Sequence, residues 1–172
     1  MANTYSLIAS STVGVGGAAT VSFTSIPASY TDLCVVFSGR SSTDTPICYG
    51  KVTLNSDTGN NYSWKFLYGT GSAAASTGLS STNGFQYVII AASNSTANTF
   101  GNSSFYIPNY TSSNQKSITI DAVSENNGTV ATQGMLGGLW TGTAAITRID
   151  ITETVLSFAQ YTTAYLYGVK NA

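Results

Sequence analysis

The side chains suited to acid–base or metal chemistry are few in this chain: seven acids, two cysteines and no histidine. Asp57-Thr58-Gly59 spells the triplet of aspartic proteases, whose chemistry needs two carboxylates sharing one proton. Here Asn55-Ser56 separate the triplet from the preceding apolar run, so an Asp-x-Gly turn is the better reading. Gly14-Val-Gly16-Gly-Ala-Ala19 matches a dinucleotide fingerprint, which works only where a strand feeds a helix. The next segment, 19–24, alternates and is rich in β-branched residues, so a glycine-rich hairpin turn is expected. Asp121 with Glu125 and Asp150 with Glu153 are the close acid pairs that a glycosidase could use. Asp121 and Asp150 fall on the outward positions of alternating segments, which predicts solvated carboxylates. A serine nucleophile would lack its usual imidazole base. Two cysteines without histidine cannot complete a zinc, haem or iron–sulfur shell. Calcium on loop aspartates and carbonyls is the one metal chemistry left open. No catalytic residue, metal ligand or cofactor is assigned.

Composition narrows the partners. Only 8% of the 172 residues are charged and net charge is −1, against about 25% charged in an ordinary domain. Arg40, Lys51, Lys65, Lys116, Arg148 and Lys170 are scattered, so no nucleic acid is expected as a partner. No apolar run reaches the roughly 20 residues of a membrane helix, and the first residues lack the basic and apolar regions of a secretory signal. No membrane insertion is expected. At 42% hydrophobic, the chain can bury a sizeable core. Cys34 and Cys48 read as buried free thiols, with a bridge open to them if their strands pair. Five Asn-x-Ser/Thr triplets suit a chain rich in these residues and do not by themselves indicate glycosylation.

The elements that must position these residues are strands. Apolar and polar residues alternate, and Gly, Asn, Ser or Pro clusters break the pattern. Strands are predicted over 4–10, 19–24, 32–39, 48–55, 62–69, 84–91, 99–107, 116–123, 133–140, 145–152 and 161–169. Eleven segments overcount slightly, and eight to ten strands are expected. The fold class is all-β, a jelly-roll-like antiparallel sandwich in one domain over 1–172. Segment 32–39 carries apolar residues on both faces and reads as a central strand covered on both sides. Turns are expected at Asn55–Asn61, Asn126–Gly128 and Thr141–Thr143, and 69–83 as a mobile surface loop.

Two aromatic stripes stand out. Tyr62, Trp64, Phe66 and Tyr68 share one face of a strand, and Tyr161, Tyr165 and Tyr167 form a second stripe. Aromatic plates beside Asn and Ser could stack on sugars or meet a partner, so the first four are candidate glycan or interface residues. The competing reading is that they form the core face of the sandwich. Edge strands are usually blunted by charge, which this chain lacks. Edges buried between copies are therefore expected, with a homotrimer as the assembly.

The segments TYSLIASSTVG, ATVSFTSIPASYTDLCVVFSGRSS, VTLNSDTGNNYSWKFLYGTGS, NTFGNSSFYIPNYTSSNQKSITIDAVSENNG and GLWTGTAAITRIDITETVLSFAQYTTAYLYGVK resemble a family of small virion proteins of tailed bacteriophages, common in phages of marine bacteria and cyanobacteria. The IPASYTDL, LNSDTGNNYSW and LYGVK stretches carry most of the resemblance. It implies a β-sandwich displayed on the virion surface, without an active-site residue. Members are described as head decoration proteins or as tail-fibre components. A core-like strand from about Thr4, without heptads before it, favours a free-standing module over a fibre joined through an adaptor. The expected function is a non-enzymatic capsid decoration or cement protein that bridges capsid subunits. The alternative is a tail module that binds host glycans, and an enzyme ranks third.

Overall fold

Described in the computed structural model are residues 4–125, 127–128 and 131–170. They form twelve strands and no helix. These are β1 (Tyr5–Thr12), β2 (Thr20–Phe23), β3 (Asp32–Gly39), β4 (Ile47–Leu54), β5 (Tyr62–Gly69) and β6 (Ala74–Thr82), then β7 (Phe85–Ala91), β8 (Gly101–Ile107), β9 (Lys116–Glu125), β10 (Ala131–Trp140), β11 (Ile149–Glu153) and β12 (Thr163–Val169). All eleven predicted segments contain a strand, and the count exceeds the expected eight to ten. The addition is β6, inside the 69–83 segment read as a mobile loop. Its residues AASTGLSST lie in the open almost throughout, so no burial imposes an alternation for the sequence to display. The turn expected at Asn126–Gly128 includes Asn126, which lies outside the described residues.

Every strand pairing is antiparallel, in two sheets. The large sheet runs β1-β12-β3-β8-β9-β10-β5-β6, and the small one runs β2-β11-β4-β7. β1 and β2 lie in different sheets, so the glycine-rich segment between them is a crossover rather than a hairpin turn. Gly16 and Gly17 take φ of 97° and 76° there, a conformation that L side chains avoid. The turn after β4 is explicit. Asn55 and Ser56 both take positive φ, and Asp57 N–H donates to Leu54 O at 2.9 Å.

One core runs between the sheets. β9 alternates cleanly, with Ile118, Ile120 and Ala122 inward and Ser117, Thr119 and Asp121 outward. β3 sends Leu33, Val35 and Phe37 inward. Its other face is not covered as the sequence predicts, because Val36 is exposed and Cys34 is half-buried. β3 is central by pairing, but no described residue buries Val36 on its outer side.

The inner face of β10 is shaped to receive rings. A Cβ on Gly134 would stand 2.2 Å from Phe66 Cζ, and one on Gly138 would stand 2.5 Å from Phe85 Cε1. A Cβ on Gly137, on the outer face, would meet nothing within 4 Å. Gly138→Ala is therefore expected to destabilise the fold by about 1–3 kcal/mol. Gly137→Ala should be neutral or stabilising by up to about 1 kcal/mol, because a strand glycine is entropically costly. Urea denaturation midpoints check the pair, and equal midpoints would refute this account of the core.

Candidate functional site

The acids are placed first, because they decide what chemistry is available. Glu153, at the end of β11, is buried. Its Oε1 accepts from Cys48 Sγ at 2.8 Å, Ser41 Oγ at 3.1 Å and Thr43 Oγ1 at 3.2 Å. Its Oε2 accepts from the backbone N–H groups of Val155, at 2.8 Å, and Leu156. Burial pushes this carboxyl up, but the donors outweigh it and hold the group below the usual range. Burial and the adjacent Glu153 push the Cys48 thiol up to about 11, so it is an inert donor rather than a nucleophile. Cys34 and Cys48 are both free, on strands of different sheets.

Asp150 corrects the sequence reading, for it is buried rather than solvated. Arg148 Nε lies 2.8 Å from its Oδ2, and Ser22 Oγ donates to Oδ1 at 2.6 Å. Asp32, also buried, accepts from Tyr106 Oη at 2.5 Å and Asn109 N–H at 2.8 Å. Asp57 accepts from Gly59 N–H at 2.8 Å and Trp140 Nε1 at 2.7 Å. It closes its own turn and anchors a core indole, so the protease triplet is structural. Glu125 gathers Thr96 N–H, Thr99 Oγ1 and Asn127 N–H. Asp121 is exposed on the outer face of β9, as its alternation predicts.

Two further basic groups, Arg40 and Lys116, are engaged in the same way. Arg40 donates to the carbonyls of Ser93, Ser95, Thr96 and Thr99. Lys116, 1% exposed, donates to the carbonyls of Ser112, Asn114 and Thr143. Among the described residues no three acids, cysteines or histidines converge as a metal site would require.

The two aromatic stripes separate. Tyr62, Trp64 and Phe66 are 1%, 3% and 2% exposed. They form the core face of β5 and offer no plate to a sugar or partner. Tyr68 is half-buried at the end of the row, stacked on Phe66 at 5.4 Å. The second stripe turns outward. Cross-strand register aligns Leu7, Tyr167, Cys34 and Tyr106 in one row across β1, β12, β3 and β8. Tyr165, Val36 and Ser104 form the next. With Tyr5 and Leu7 more than half exposed, this part of the outer face is an aromatic and aliphatic field. Tyr161, in the turn before β12, is exposed apart from it. A second outer field lies over β5 and β10, where Leu67, Met135 and Leu139 flank shallow hollows.

The edges of the large sheet are β1 and β6. Neither carries a charged residue or a proline. β1 is interrupted by a bulge at Ile8, while β6 pairs with β5 without interruption from Ala74 to Ser80. Its outer edge is a regular, uncharged row of unpaired backbone groups, the form most prone to join another chain. The candidate site is therefore the outer face of the large sheet, with its two apolar fields, bounded by two uncharged edges. No protein-family model, curated protein or solved structure was found to match the chain.

Two phenols link this architecture to pH. The hydrogen bond to Asp32 raises Tyr106 to about 12, and burial raises Tyr62 to about 12. Both exceed the unfolded value of about 10, so the stability they contribute is present below pH 10 and lost as pH rises toward 12. Denaturation midpoints should fall steeply across that window, and Tyr106→Phe should make the fall shallower. An unchanged slope in the variant would refute the assignment to Tyr106.

Proposed function

We propose that this chain is a non-enzymatic structural protein of a bacteriophage virion, a decoration or cement module that bridges capsid subunits on the head surface. The observation that carries the reading is the outer face of the large sheet. A field of Tyr5, Leu7, Val36 and Tyr165, with half-buried Tyr167 among them, lies open in a chain with few charges, next to an edge of the sheet. Apolar fields of this kind mark interaction surfaces. The resemblance of the sequence to small tailed-phage virion proteins supplies the setting. Of the acids that could have suggested catalysis, Asp57, Glu125, Asp150 and Glu153 are held in hydrogen bonds within the fold, and Asp121 stands on the outer face of β9.

We read the strand order as a jelly roll with an enlarged sheet. β1-β12-β3-β8 and β2-β11-β4-β7 are the nested fours of two Greek keys, and the hairpins β5–β6 and β9–β10 extend one of them. In this reading the extension creates both the second outer field and the free edge β6. The assembly we propose is a homotrimer, in which β6 of one copy meets β1 of the next. A head-to-tail contact of that type closes into a three-membered ring when each copy is rotated by a third of a turn from the last.

Two measurements test the proposal. Quantitative mass spectrometry of virions should give hundreds of copies per particle, and particles lacking the protein should have weakened heads. A handful of copies would place the protein on the tail and overturn the decoration reading. In solution, light scattering should report a trimer, and Ser76→Lys with Ser80→Lys should return it to monomers without lowering its melting temperature. Both serines are exposed on β6, so the lysines act on the edge rather than the core. A stable wild-type monomer at micromolar concentration would refute the assembly.

A further inference from the structure

The pairing of β4 with β7 breaks at one place. Gly50 stands opposite Val88, and Val52 stands opposite Phe85. Gln86 and Tyr87 therefore share the position opposite Lys51, which is a β-bulge. Tyr87 adopts φ of 69°. For a bulky residue that left-handed conformation is strained and persists only where its surroundings enforce it. The enforcing contacts are aromatic. Tyr87 stacks on Phe66 at 4.8 Å and meets Trp64 at 5.1 Å and Tyr49 at 4.9 Å, both edge-on. The bulge thus places the ring at the margin of the small sheet, against β5 of the large one.

The bulge helps to wall a cleft of about 280 Å³, lined by Tyr49, Gly50, Gln86, Tyr87 and Thr154. None of these residues is charged. Tyr49 is 38% exposed, so its ring presents a face to solvent. Burial, then the neighbouring Tyr87 and Tyr68 phenols, push the Tyr49 phenol above its ordinary value. None of those hydroxyls, nor the Gln86 amide, hydrogen-bonds to another described residue. Thr154 Oγ1 donates to Tyr49 O at 2.8 Å and keeps its lone pairs as acceptors. Trp64 Nε1, in the indole touching Tyr87, is the one buried side-chain polar atom without a partner among the described residues. Unsatisfied buried groups are rare enough to require a reason.

From this geometry we infer that the cleft at the Gln86–Tyr87 bulge is a binding site for one neutral pyranose ring. Such a ring has an apolar C–H face that suits an aromatic plate and a rim of hydroxyls that suits unpartnered phenols, an amide and a threonine. The absence of charge in the lining disfavours acidic and phosphorylated sugars. Sites for drug-sized ligands start at about 300 Å³, so the cleft suits a single ring. The strain at Tyr87 is the cost of setting that wall. This site uses none of the four β5 aromatics that the sequence singled out as a direct plate. It also stands apart from the outer face, so it holds for a head or a tail module alike.

Titration of the full chain with methyl glucoside, methyl galactoside and methyl mannoside tests the site, read by saturation-transfer NMR and by Trp64 fluorescence, with sorbitol as the open-chain control. At least one pyranoside should bind saturably while sorbitol does not. Tyr49→Ala should weaken binding by about 10-fold or more, and Gln86→Ala by several-fold. Tyr161→Ala, at an exposed tyrosine outside the cleft, should leave binding unchanged. Tyr49→Phe keeps the ring and the fold, so weakened binding there assigns the hydroxyl directly. A trisaccharide that binds about 10-fold tighter than its monomer assigns the site to a glycan chain rather than a free sugar. Failure of every pyranoside to saturate, binding of sorbitol as tight as the sugars, or undiminished binding by Tyr49→Ala would each overturn the inference. None of these outcomes depends on copy number or oligomeric state, so this site and the decoration reading can fail separately.

Discussion

An eight-stranded sheet cannot be covered by a four-stranded one, and most of this molecule follows from that mismatch. Burial requires the two inner faces to mesh at about 10 Å. Here the edge strand β7 supplies rings to the enlarged half of the big sheet. Phe85 occupies the space left by Gly138 of β10, and Phe66 of the neighbouring β5 fills the space left by Gly134. Gly101 and Gly39 let the sheets approach closely elsewhere, since a Cβ on Gly101 would reach the β7 backbone at 3.0 Å. Where β7 must also reach toward β5, its regular pairing gives way at Gln86–Tyr87. Among the described residues, Tyr5, Leu7, Val36, Leu67, Met135 and Tyr165 remain exposed on the outer side of the large sheet.

Charge is scarce, and the structure uses it inward. Burying an ion costs several kcal/mol unless hydrogen bonds replace its hydration. Asp32, Asp150, Glu153 and Lys116 are all buried, and each meets that condition. They tie loops that a sandwich with long crossovers must hold at both ends. Glu153 joins the end of β11 to the 41–43 segment and to the turn at Val155 and Leu156. Arg40 collects the carbonyls of the 93–99 segment. The consequence is a surface still more neutral than the composition suggests, and edges without the gatekeeper lysines that keep most sheets apart.

Strand existence was legible because burial on one face imposes a period of two, and every segment with that period became a strand. β6 was illegible for the converse reason: with both faces open, its serines, threonines and alanines have no partner to alternate against. The reading of Asp150 as solvated failed because alternation tells which residues share a face and not which face is wet. Its outward position lies under Arg148 and Ser22, from just before its own strand and from β2. The double-sided burial expected for β3 failed likewise, since apolar residues on both faces announce a cover without showing that this chain provides it.

By itself the sequence determined the fold class, most of the strands and the poverty of acid–base chemistry, because these depend on residue type and local period alone. It presented two aromatic stripes with equal standing. Only the tertiary structure decided that Tyr62, Trp64 and Phe66 are core and that Tyr165 and Tyr167 face outward. That choice depends on which side of the large sheet the four-stranded sheet packs, a contact between residues far apart in the chain. It likewise decided that Asp57 holds Trp140, that Glu153 clasps Ser41 and Cys48, and that Tyr49 and Tyr87 share a cleft. Each of these unites positions that no local spacing brings together.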